Sequence, residues 1–416
     1  MTTTPRPVGD AERLARATLS RIAEPATKGL ISRVREVGAE QAVAEVRDGR
    51  PLGGVDVDGL RHRLATADPR RDLDRAASVG ARLVCPGDPD WPAPLDDLAW
   101  EGLDCLGLWV RGQGPFGHGL GGHGPGGQGP LGQGPLGGPD LTAIGIVGTR
   151  AATAYGQLIA AEFASGLVDR GWTIVSGLAY GIDAAAHRGA LAAGGITIAA
   201  LACGVDVVYP KANRMLYERI RAEGAIVSEH PPGTAPQRTR FLVRNRLIAA
   251  LSAGTVVVEM AVRSGARSTA AYAARLNRHV MVVPGPVTSA VSAGCHQLLR
   301  DRPDTVVVTR VEEIVEQCGH MGDIASSLAA PVTTRDLLGP TVRRVFEGVP
   351  VRGTAVVDAI ATTAGVAPAA AAASLAALAQ LGLAEERDGR WTMTTAGRSE
   401  RRHHVDPLAQ LALDVW

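Results

Sequence analysis

Lysine is almost absent from this chain of 416 residues, which contains only Lys28 and Lys211. The phosphate-binding loop of Walker-type ATPases needs a lysine in Gly-Lys-Ser or Gly-Lys-Thr, because that lysine reaches the β- and γ-phosphates. Lys28 stands in Thr-Lys-Gly and Lys211 in Pro-Lys-Ala. The sequence therefore argues against an ATPase of this type.

Cysteine pairs, long apolar runs and an excess of charge are also missing. The five cysteines are widely spaced and contain no C-x-x-C motif, which argues against a disulfide framework and a structural zinc site. No run of about 18 apolar residues exists to span a membrane, and the first residues lack the apolar core of a signal peptide. We expect a cytoplasmic protein without a membrane segment. Because 43 basic side chains nearly cancel 42 acidic ones, any basic site must be local.

The first 139 residues divide into three segments by composition. Residues 1–80 predict a small helical module of the SAM or helix-hairpin-helix kind, with two short amphipathic helices between 11 and 50. Residues 81–110 predict a strand, a turn region and a second strand that lead into the next domain. Residues 111–139 consist largely of Gly, Pro, Gln, His and Leu, which is typical of a flexible insertion with too little apolar material to form a core.

Short apolar strands alternate with helical patterns over residues 140–318. The strand-like runs are AIGIV, TIVSG, TIAAL, AIVSE, TVVVEM, HVMVVPG and TVVVT. Strands that are apolar throughout and separated by helices indicate a mostly parallel sheet covered on both faces. The fold class is therefore α/β, a Rossmann-like doubly wound domain.

The remaining chain predicts a second, smaller domain. Residues 319–333 form a polar linker, and residues 334–400 contain three helical patterns followed by two strands around an Asp-Gly turn. These are the parts of a winged helix. Its candidate recognition helix, PAAAAASLAALAQLG, has no Arg or Lys to meet phosphates, which favours a role in protein interaction. The tail 401–416 gives no useful signal.

Glycine-containing loops follow the first two strands of the α/β domain. Gly148 and Arg150 follow the first strand, and Ser176 and Gly177 follow the second. Glycine lets the backbone approach a phosphate, although it also serves simple strand-to-helix turns. The dinucleotide fingerprint G-x-G-x-x-G is missing, which argues against NAD. No cofactor is expected.

Residues 230–258 contain four arginines and no acidic side chain before Glu259. They are Arg238, Arg240, Arg244 and Arg246. A helix over 241–251 would place Arg240 and Arg244 one turn apart on one face. Either this is a solvated helix face, or the guanidiniums bind phosphate, whose oxygens suit their planar fork.

Other side chains give weaker evidence for a binding or catalytic site. All five tyrosines lie in the α/β domain, and Tyr155 and Tyr180 follow the glycine loops, where a nucleobase could stack. His187 lies one turn after Asp183, which predicts a helix-stabilising pair. Glu259 ends a strand and is a candidate general base, but no motif supports a catalytic or metal site.

Long motifs in the α/β region resemble those of the DNA-processing protein A (DprA/Smf) family. They run through IVGTRAATAYG, VSGLAYGIDAAAHRGAL, ALACGVDVVYPKANRMLYERI, GAIVSEHPPGT and the stretch from RFLVRNRLIAALSAG to VMVVPG. The similarity covers about residues 140–310, and GDPDWPAPL upstream resembles the family's segment before the Rossmann-like domain. The three-part plan also matches.

The resemblance implies a function and a site. Family members bind incoming single-stranded DNA during natural transformation, help displace single-strand binding protein, load the recombinase RecA, act as homodimers and have no established catalytic activity. The matching motifs imply which residues of this chain correspond to the phosphate-binding positions of the family. The nucleic-acid site predicted in this way, with its neighbours, comprises Gly148, Arg150, Ser176, Gly177, Lys211, Arg240, Arg244, Asn245, Arg246, Ser264 and Gly265.

The chain departs from the family pattern at several positions. Tyr180 stands where the family usually has Arg, Arg267 is additional, and His296 replaces a usual Asn. Two other functions stay open. A nucleotide N-glycosidase would need a Pro-Gly-Gly-x-Gly-Thr loop, for which this chain offers only Pro-Gly-Pro at 284–286. An adaptor acting through the winged helix alone would not bind DNA.

Overall fold

The computed structural model describes residues 8–112, 143–319 and 334–402. The chain divides into two compact units, Met1–Ala325 and Ser326–Trp416. The predicted insertion at 111–139, the linker at 319–333 and the tail at 401–416 lie outside the described residues, apart from positions 111, 112, 319, 401 and 402.

Five helices open the first unit. They are α1 (Asp10–Ile22), α2 (Lys28–Val37), α3 (Ala39–Asp48), α4 (Val57–Leu64) and α5 (Pro69–Ser78). The prediction of two helices between 11 and 50 was wrong, because this stretch contains three. Gly38 adopts φ +84°, a conformation that glycine tolerates best, and it ends α2 and precedes α3 without a linker.

A nine-stranded sheet forms the centre of the first unit. Its strands are β1 (Ala81–Val84), β2 (Leu108–Gly112), β3 (Ala143–Val147), β4 (Thr173–Ser176), β5 (Thr197–Ala200), β6 (Ala225–Ser228), β7 (Gly254–Val257), β8 (His279–Val282) and β9 (Val306–Val307). Their order across the sheet is β1-β2-β6-β5-β4-β3-β7-β8-β9. Strands β3 to β9 pair in parallel, whereas β2 pairs antiparallel with both β6 and β1. The two strands of segment 81–110 therefore extend the sheet itself.

Helices cover the sheet. They are α6 (Ala154–Val168), α7 (Ile182–Ala192), α8 (Arg214–Glu223), α9 (Arg238–Ala250), α10 (Ala266–Arg275), α11 (Ala293–Asp301) and α12 (Val311–Cys318), with 3-10 helices at Ala93–Glu101 and Lys211–Asn213. Every residue of β3 to β7 is buried, as expected of strands with helices on both faces. Each predicted strand run overlaps an observed strand, which confirms the α/β fold class.

The chain changes direction across the sheet at β3. From β3 it proceeds through β4 and β5 to β6 on one side, and then crosses to β7, β8 and β9 on the other. The loops after β3 and β7 therefore leave neighbouring strands in opposite directions, and a crevice opens at their carboxyl ends. Doubly wound sheets bind ligands at this switch point.

The second unit contains α13 (Pro340–Gly348), α14 (Val357–Ala364), α15 (Pro368–Gln380), the antiparallel strands β10 (Ala384–Arg387) and β11 (Arg390–Met393), and α16 (Thr395–Arg402). Asp388 and Gly389 form the hairpin turn with φ of +52° and +72°. The predicted three helices and hairpin are present. Their identification as a winged helix stays a prediction.

Among the described residues, none of the helices is by itself long and apolar enough to cross a membrane, and α14 and α15 reach that length and apolarity only together, as a pair bent by 101°. In the same part of the chain, His, Cys, Asp and Glu side chains form no group of three able to hold a metal ion.

Candidate nucleic-acid interface

A groove of about 770 Å³ lies at the switch point of the sheet. It is lined by residues 147–150 after β3, Ala179 and Asp183 after β4, Tyr209 after β5, Pro236, Gln237 and one side of α9, and Ala261, residues 263–266 and Thr269 after β7. The groove therefore brings together segments that follow five parallel strands, β3 to β7, and the length of one helix. This is the place where the sequence predicts a ligand.

Three exposed arginines stand on the rim of the groove. Arg150 lies in the β3–α6 loop, Arg238 in the first turn of α9, and Arg263 in the β7–α10 loop. Among the residues that the structure describes, no carboxylate forms an ion pair or a side-chain hydrogen bond with any of these three. We refer to them as the rim arginines. Guanidiniums without counter-charges around a concave surface are suited to phosphate groups.

Aromatic rings lie beside Arg150. The ring centres of Tyr209 and Phe241 are 5.4 Å apart with a tilt of 48°, and the Arg150 guanidinium lies 5.2 Å from the Phe241 centre. Tyr180 lines the adjoining cleft and is 47% exposed, while Tyr209 is 39% exposed. Tyr180, Tyr209 and Phe241 form what we call the aromatic shelf. Exposed aromatic faces beside cations are typical of sites where nucleobases stack.

Arg244 lies at the floor of the groove and is buried. Its Nη1 donates to the carbonyl of Gly177 at 2.9 Å and to that of Ala200, so it ties the ends of β4 and β5 together. Burial lowers the pKa of its guanidinium to about 10. Because Nη1 is committed to these two carbonyls, Arg244 supports the groove as a structural element.

Asp183 faces Arg244 from the start of α7. Its Oδ2 accepts a hydrogen bond from the backbone N–H of Ala179 at 3.4 Å. Burial raises the pKa of this carboxyl, and the positive charge of Arg244 opposes the rise. The floor of the groove thus contains an acidic group as well as a basic one.

Asn245 positions the far wall of the groove. Its Nδ2 donates to the carbonyl of Gly265 at 3.1 Å and to Ser268 Oγ at 3.0 Å. This holds the β7–α10 loop, in which Ser264 and Gly265 line the groove. Three of the predicted site residues are therefore brought together here.

The glycine loops serve close packing. A Cβ on Gly148 would lie 2.5 Å from Ile182 Cγ1, and a Cβ on Gly177 would lie 2.5 Å from Arg244 Nη1. Both positions therefore need glycine for space. Ser176 is buried, and its hydroxyl donates to the carbonyl of Ile146 at 2.6 Å, so this side chain joins β4 to β3 and does not reach the groove.

Two of the four clustered arginines form ion pairs with glutamates of the same chain. Arg246 is fully buried and forms a bidentate ion pair with Glu229, with Nη2 at 2.7 Å from Oε1. Arg240 forms an ion pair with Glu24, which follows α1: Nε lies 2.9 Å from Oε2 and Nη2 lies 2.6 Å from Oε1. The expectation that this cluster lacks counter-charges was wrong, because distant parts of the chain supply them. Arg240 and Arg244 thus both have partners inside the protein, and the phosphate contacts predicted for them stay predictions.

Lys211 lies outside the groove but near it. It is exposed and follows Pro210, which lines the same cleft as the aromatic shelf. Two residues further on, Asn213 Nδ2 donates to the carbonyl of Leu178 at 3.0 Å, which couples this segment to the loop after β4. Lys211 therefore extends the basic surface beyond the shelf.

The candidate catalytic groups are engaged in packing. His187 Nδ1 meets Thr197 Oγ1 at 2.7 Å, so the pair with Asp183 expected from the sequence is not formed. Burial lowers the pKa of His187 to about 3. Glu259 accepts from the backbone N–H of Thr153 at 2.9 Å and from the Thr153 hydroxyl, which positions the start of α6.

The structure adds residues that the sequence did not single out. Arg238 was noted only as part of the cluster, whereas Arg263, Tyr209 and Phe241 were not proposed as site residues. Each lines the groove or the adjoining cleft. Of the departures from the family pattern, Arg267 forms an ion pair with Asp301 at 2.7 Å.

Comparison with known proteins agrees with this architecture. The family model described as DNA recombination-mediator protein A matches residues 132–319. The putative DNA processing protein DprA of Mycobacterium tuberculosis is 44% identical over 391 residues, which are 92% of this chain and 95% of that protein. Protein Smf of Synechocystis is 34% identical over 266 residues, covering 62% of each chain.

A solved structure shows the same fold. The X-ray structure of DNA processing protein A from Streptococcus pneumoniae superposes with a TM-score of 0.58 at 25% identity, covering 76% of this chain and 100% of that chain. The resemblance found in the motifs is thereby confirmed. The chain belongs to the DNA processing protein A (DprA/Smf) family of recombination mediators.

Proposed function

We propose that the chain binds single-stranded DNA in the groove at the switch point of the sheet. The rim arginines carry this proposal: Arg150, Arg238 and Arg263 surround one concave surface and form no ion pair or hydrogen bond with a carboxylate among the described residues. Because the net charge of the whole chain is only +1, attraction of an anion must depend on such local groups of cations. Phosphate groups are the ligand that such a surface attracts.

The aromatic shelf favours a single strand over a duplex. The bases of a duplex are stacked on one another and hidden from protein rings, whereas those of a single strand are free to stack on aromatic side chains. The partly exposed rings of Tyr180 and Tyr209 lie beside a rim arginine, so one nucleotide can place its base on the shelf and its phosphate against Arg150.

The biological role that we propose follows from the family. The chain protects incoming single-stranded DNA in the cytoplasm, displaces single-strand binding protein, and loads the recombinase RecA during natural transformation. We propose that it acts as a homodimer. The second unit supplies a face for protein contacts, because the exposed residues of α15 are mostly alanine and none is basic.

The geometry supports binding without catalysis. The carboxylate of Glu259 accepts two hydrogen bonds from Thr153, and the hydroxyl of Ser176 is buried against Ile146. Both side chains are buried and neither lines the groove, so neither is placed to act as a general base or nucleophile on a ligand bound there. No contact in the groove favours that alternative, and an adaptor without DNA binding leaves the rim arginines unexplained.

Fluorescence anisotropy with labelled 20-nucleotide single strands and matching duplexes tests the proposal. We expect tighter binding to the single strand, and we expect Arg150→Ala to weaken it. Arg300→Ala is the matched control, because Arg300 is exposed near the end of α11, does not line the groove, and forms no ion pair or side-chain hydrogen bond among the described residues. Equal binding to both DNA forms, or an unchanged Arg150 variant, would refute the proposal.

A further inference from the structure

Charge is distributed unevenly between the rim and the floor of the groove. The rim carries Arg150, Arg238 and Arg263, all exposed. The floor carries the carboxylate of Asp183, which is 6% exposed, beside the equally buried Arg244. The two regions therefore offer different partners to a nucleotide.

A phosphate at the floor would be poorly held. Nη1 of Arg244 already donates to the carbonyls of Gly177 and Ala200. The nearby carboxylate of Asp183 would repel a phosphate, and burial strengthens such repulsion because little water screens it. At the rim, by contrast, a phosphate meets three exposed guanidiniums that form no ion pair within the described part of the chain. The sugar-phosphate chain is therefore best placed along the rim, which turns the bases towards the floor.

Asp183 has acceptor capacity left for a base. A carboxylate offers about four lone-pair positions. The structure shows one long hydrogen bond to it, from the N–H of Ala179 to Oδ2 at 3.4 Å, and the amide of Gly177 also faces it. The residue lines the groove, so a donor that enters from the groove reaches it.

We propose that Asp183 is a specificity-determining residue that accepts a hydrogen bond from the exocyclic amino group of a base, so that the groove prefers amino-bearing bases to thymine. This inference rests on the proposed binding of single-stranded DNA in the groove. Cytosine presents the N4 amino group as a donor. Thymine presents the O4 carbonyl at the same position, and its N3–H is flanked by two carbonyl oxygens that a carboxylate repels.

Matched 20-nucleotide strands of 5-methyldeoxycytidine and thymidine test this preference at pH 7.5. The two bases share the methyl group and the stacking area and differ in their Watson–Crick edge. The wild-type chain should bind the 5-methylcytosine strand about tenfold more tightly, as expected of one specific base contact. Asp183→Asn keeps an acceptor for Ala179 but adds a donor, and it should abolish the preference.

Two further arms separate the possible outcomes. Arg238→Ala should weaken binding to both strands and leave their ratio unchanged, because Arg238 lies on the rim and acts on the sugar-phosphate backbone. A strand of N4,N4-dimethylcytosine, which has no N4–H donor, should lose the preference with the wild-type chain, so the test does not depend on a variant that folds. Equal wild-type affinity for all strands overturns the role of Asp183 alone, whereas no binding to any strand overturns the proposed function.

Discussion

Gly177 and Arg244 fit together at the floor of the groove in a way that admits no larger residue. Arg244 Nη1 donates to the Gly177 carbonyl at 2.9 Å, and a Cβ on residue 177 would lie 2.5 Å from Nη1 and from Nη2. The same guanidinium bonds the carbonyl of Ala200. One glycine therefore allows one arginine to hold the ends of two strands at the base of the groove.

Gly177→Ala should destabilise the protein. The added methyl group displaces a buried guanidinium from its carbonyl partners, which we expect to lower the free energy of unfolding by about 1–3 kcal/mol. Urea denaturation measures this. Gly265→Ala is the control, because a Cβ there meets no atom within 4 Å and φ is not positive. Equal stability of the two variants would show that Arg244 accommodates the methyl group.

Arg246→Met should lower the free energy of unfolding without removing a contact to DNA. It leaves Glu229 buried without its ion-pair partner, and losing one member of such a pair costs about 3–5 kcal/mol. The double variant with Glu229→Gln removes the orphaned charge and should regain part of that stability. DNA affinity of the folded double variant should match that of the wild type. A stable Arg246→Met protein with lost affinity would instead place Arg246 in the DNA interface.

Phe241→Leu should weaken single-strand binding while preserving the fold. Leucine keeps an apolar contact for Tyr209 but removes the ring on which Arg150 lies. We expect a loss of about 1–3 kcal/mol in binding free energy, the range found for bases stacked on aromatic residues. Anisotropy titration measures it, and circular dichroism checks the fold. Unchanged affinity would remove the aromatic shelf from the binding site.

His187 should make the protein sensitive to acid. Burial lowers its pKa to about 3 in the folded state from an ordinary value of 6.5, so the unfolded chain binds a proton first as pH falls. Stability should therefore decrease from pH 6.5 down towards pH 3 by about 1.4 kcal/mol per pH unit for this group. Urea denaturation between pH 7 and pH 4.5 should show a shallower decrease for His187→Leu. An identical slope in both proteins would contradict this.

Much of the fold was predictable because its signals are local. The strand runs from AIGIV to TVVVT are largely apolar and separated by helical patterns, and each overlaps an observed strand. The helix boundary at Gly38 was not predictable in this way. The helical pattern of the sequence continues through Gly38, and only its φ of +84° shows that two helices meet there.

The site was less predictable because its electrostatics depend on distant partners. In the sequence, Arg240, Arg244 and Arg246 could not be told apart. In the structure, Glu24 forms an ion pair with Arg240, and Glu229 forms one with Arg246. Glu24 lies 216 positions away from Arg240, so no local pattern reveals the pair. Arg263 was missed for the converse reason, since an isolated arginine becomes part of a site only when its loop folds against α9.

The salt dependence of single-strand binding tests the central claim most directly. The wild-type chain is compared with the triple variant Arg150→Ala, Arg238→Ala, Arg263→Ala on one 20-nucleotide strand over a series of salt concentrations, with Arg300→Ala as control. Each lost phosphate contact should flatten the plot of log K against log salt by about 0.7, so the triple variant should lose about 2 from the slope. A triple variant with the wild-type slope would show that DNA does not bind at this groove.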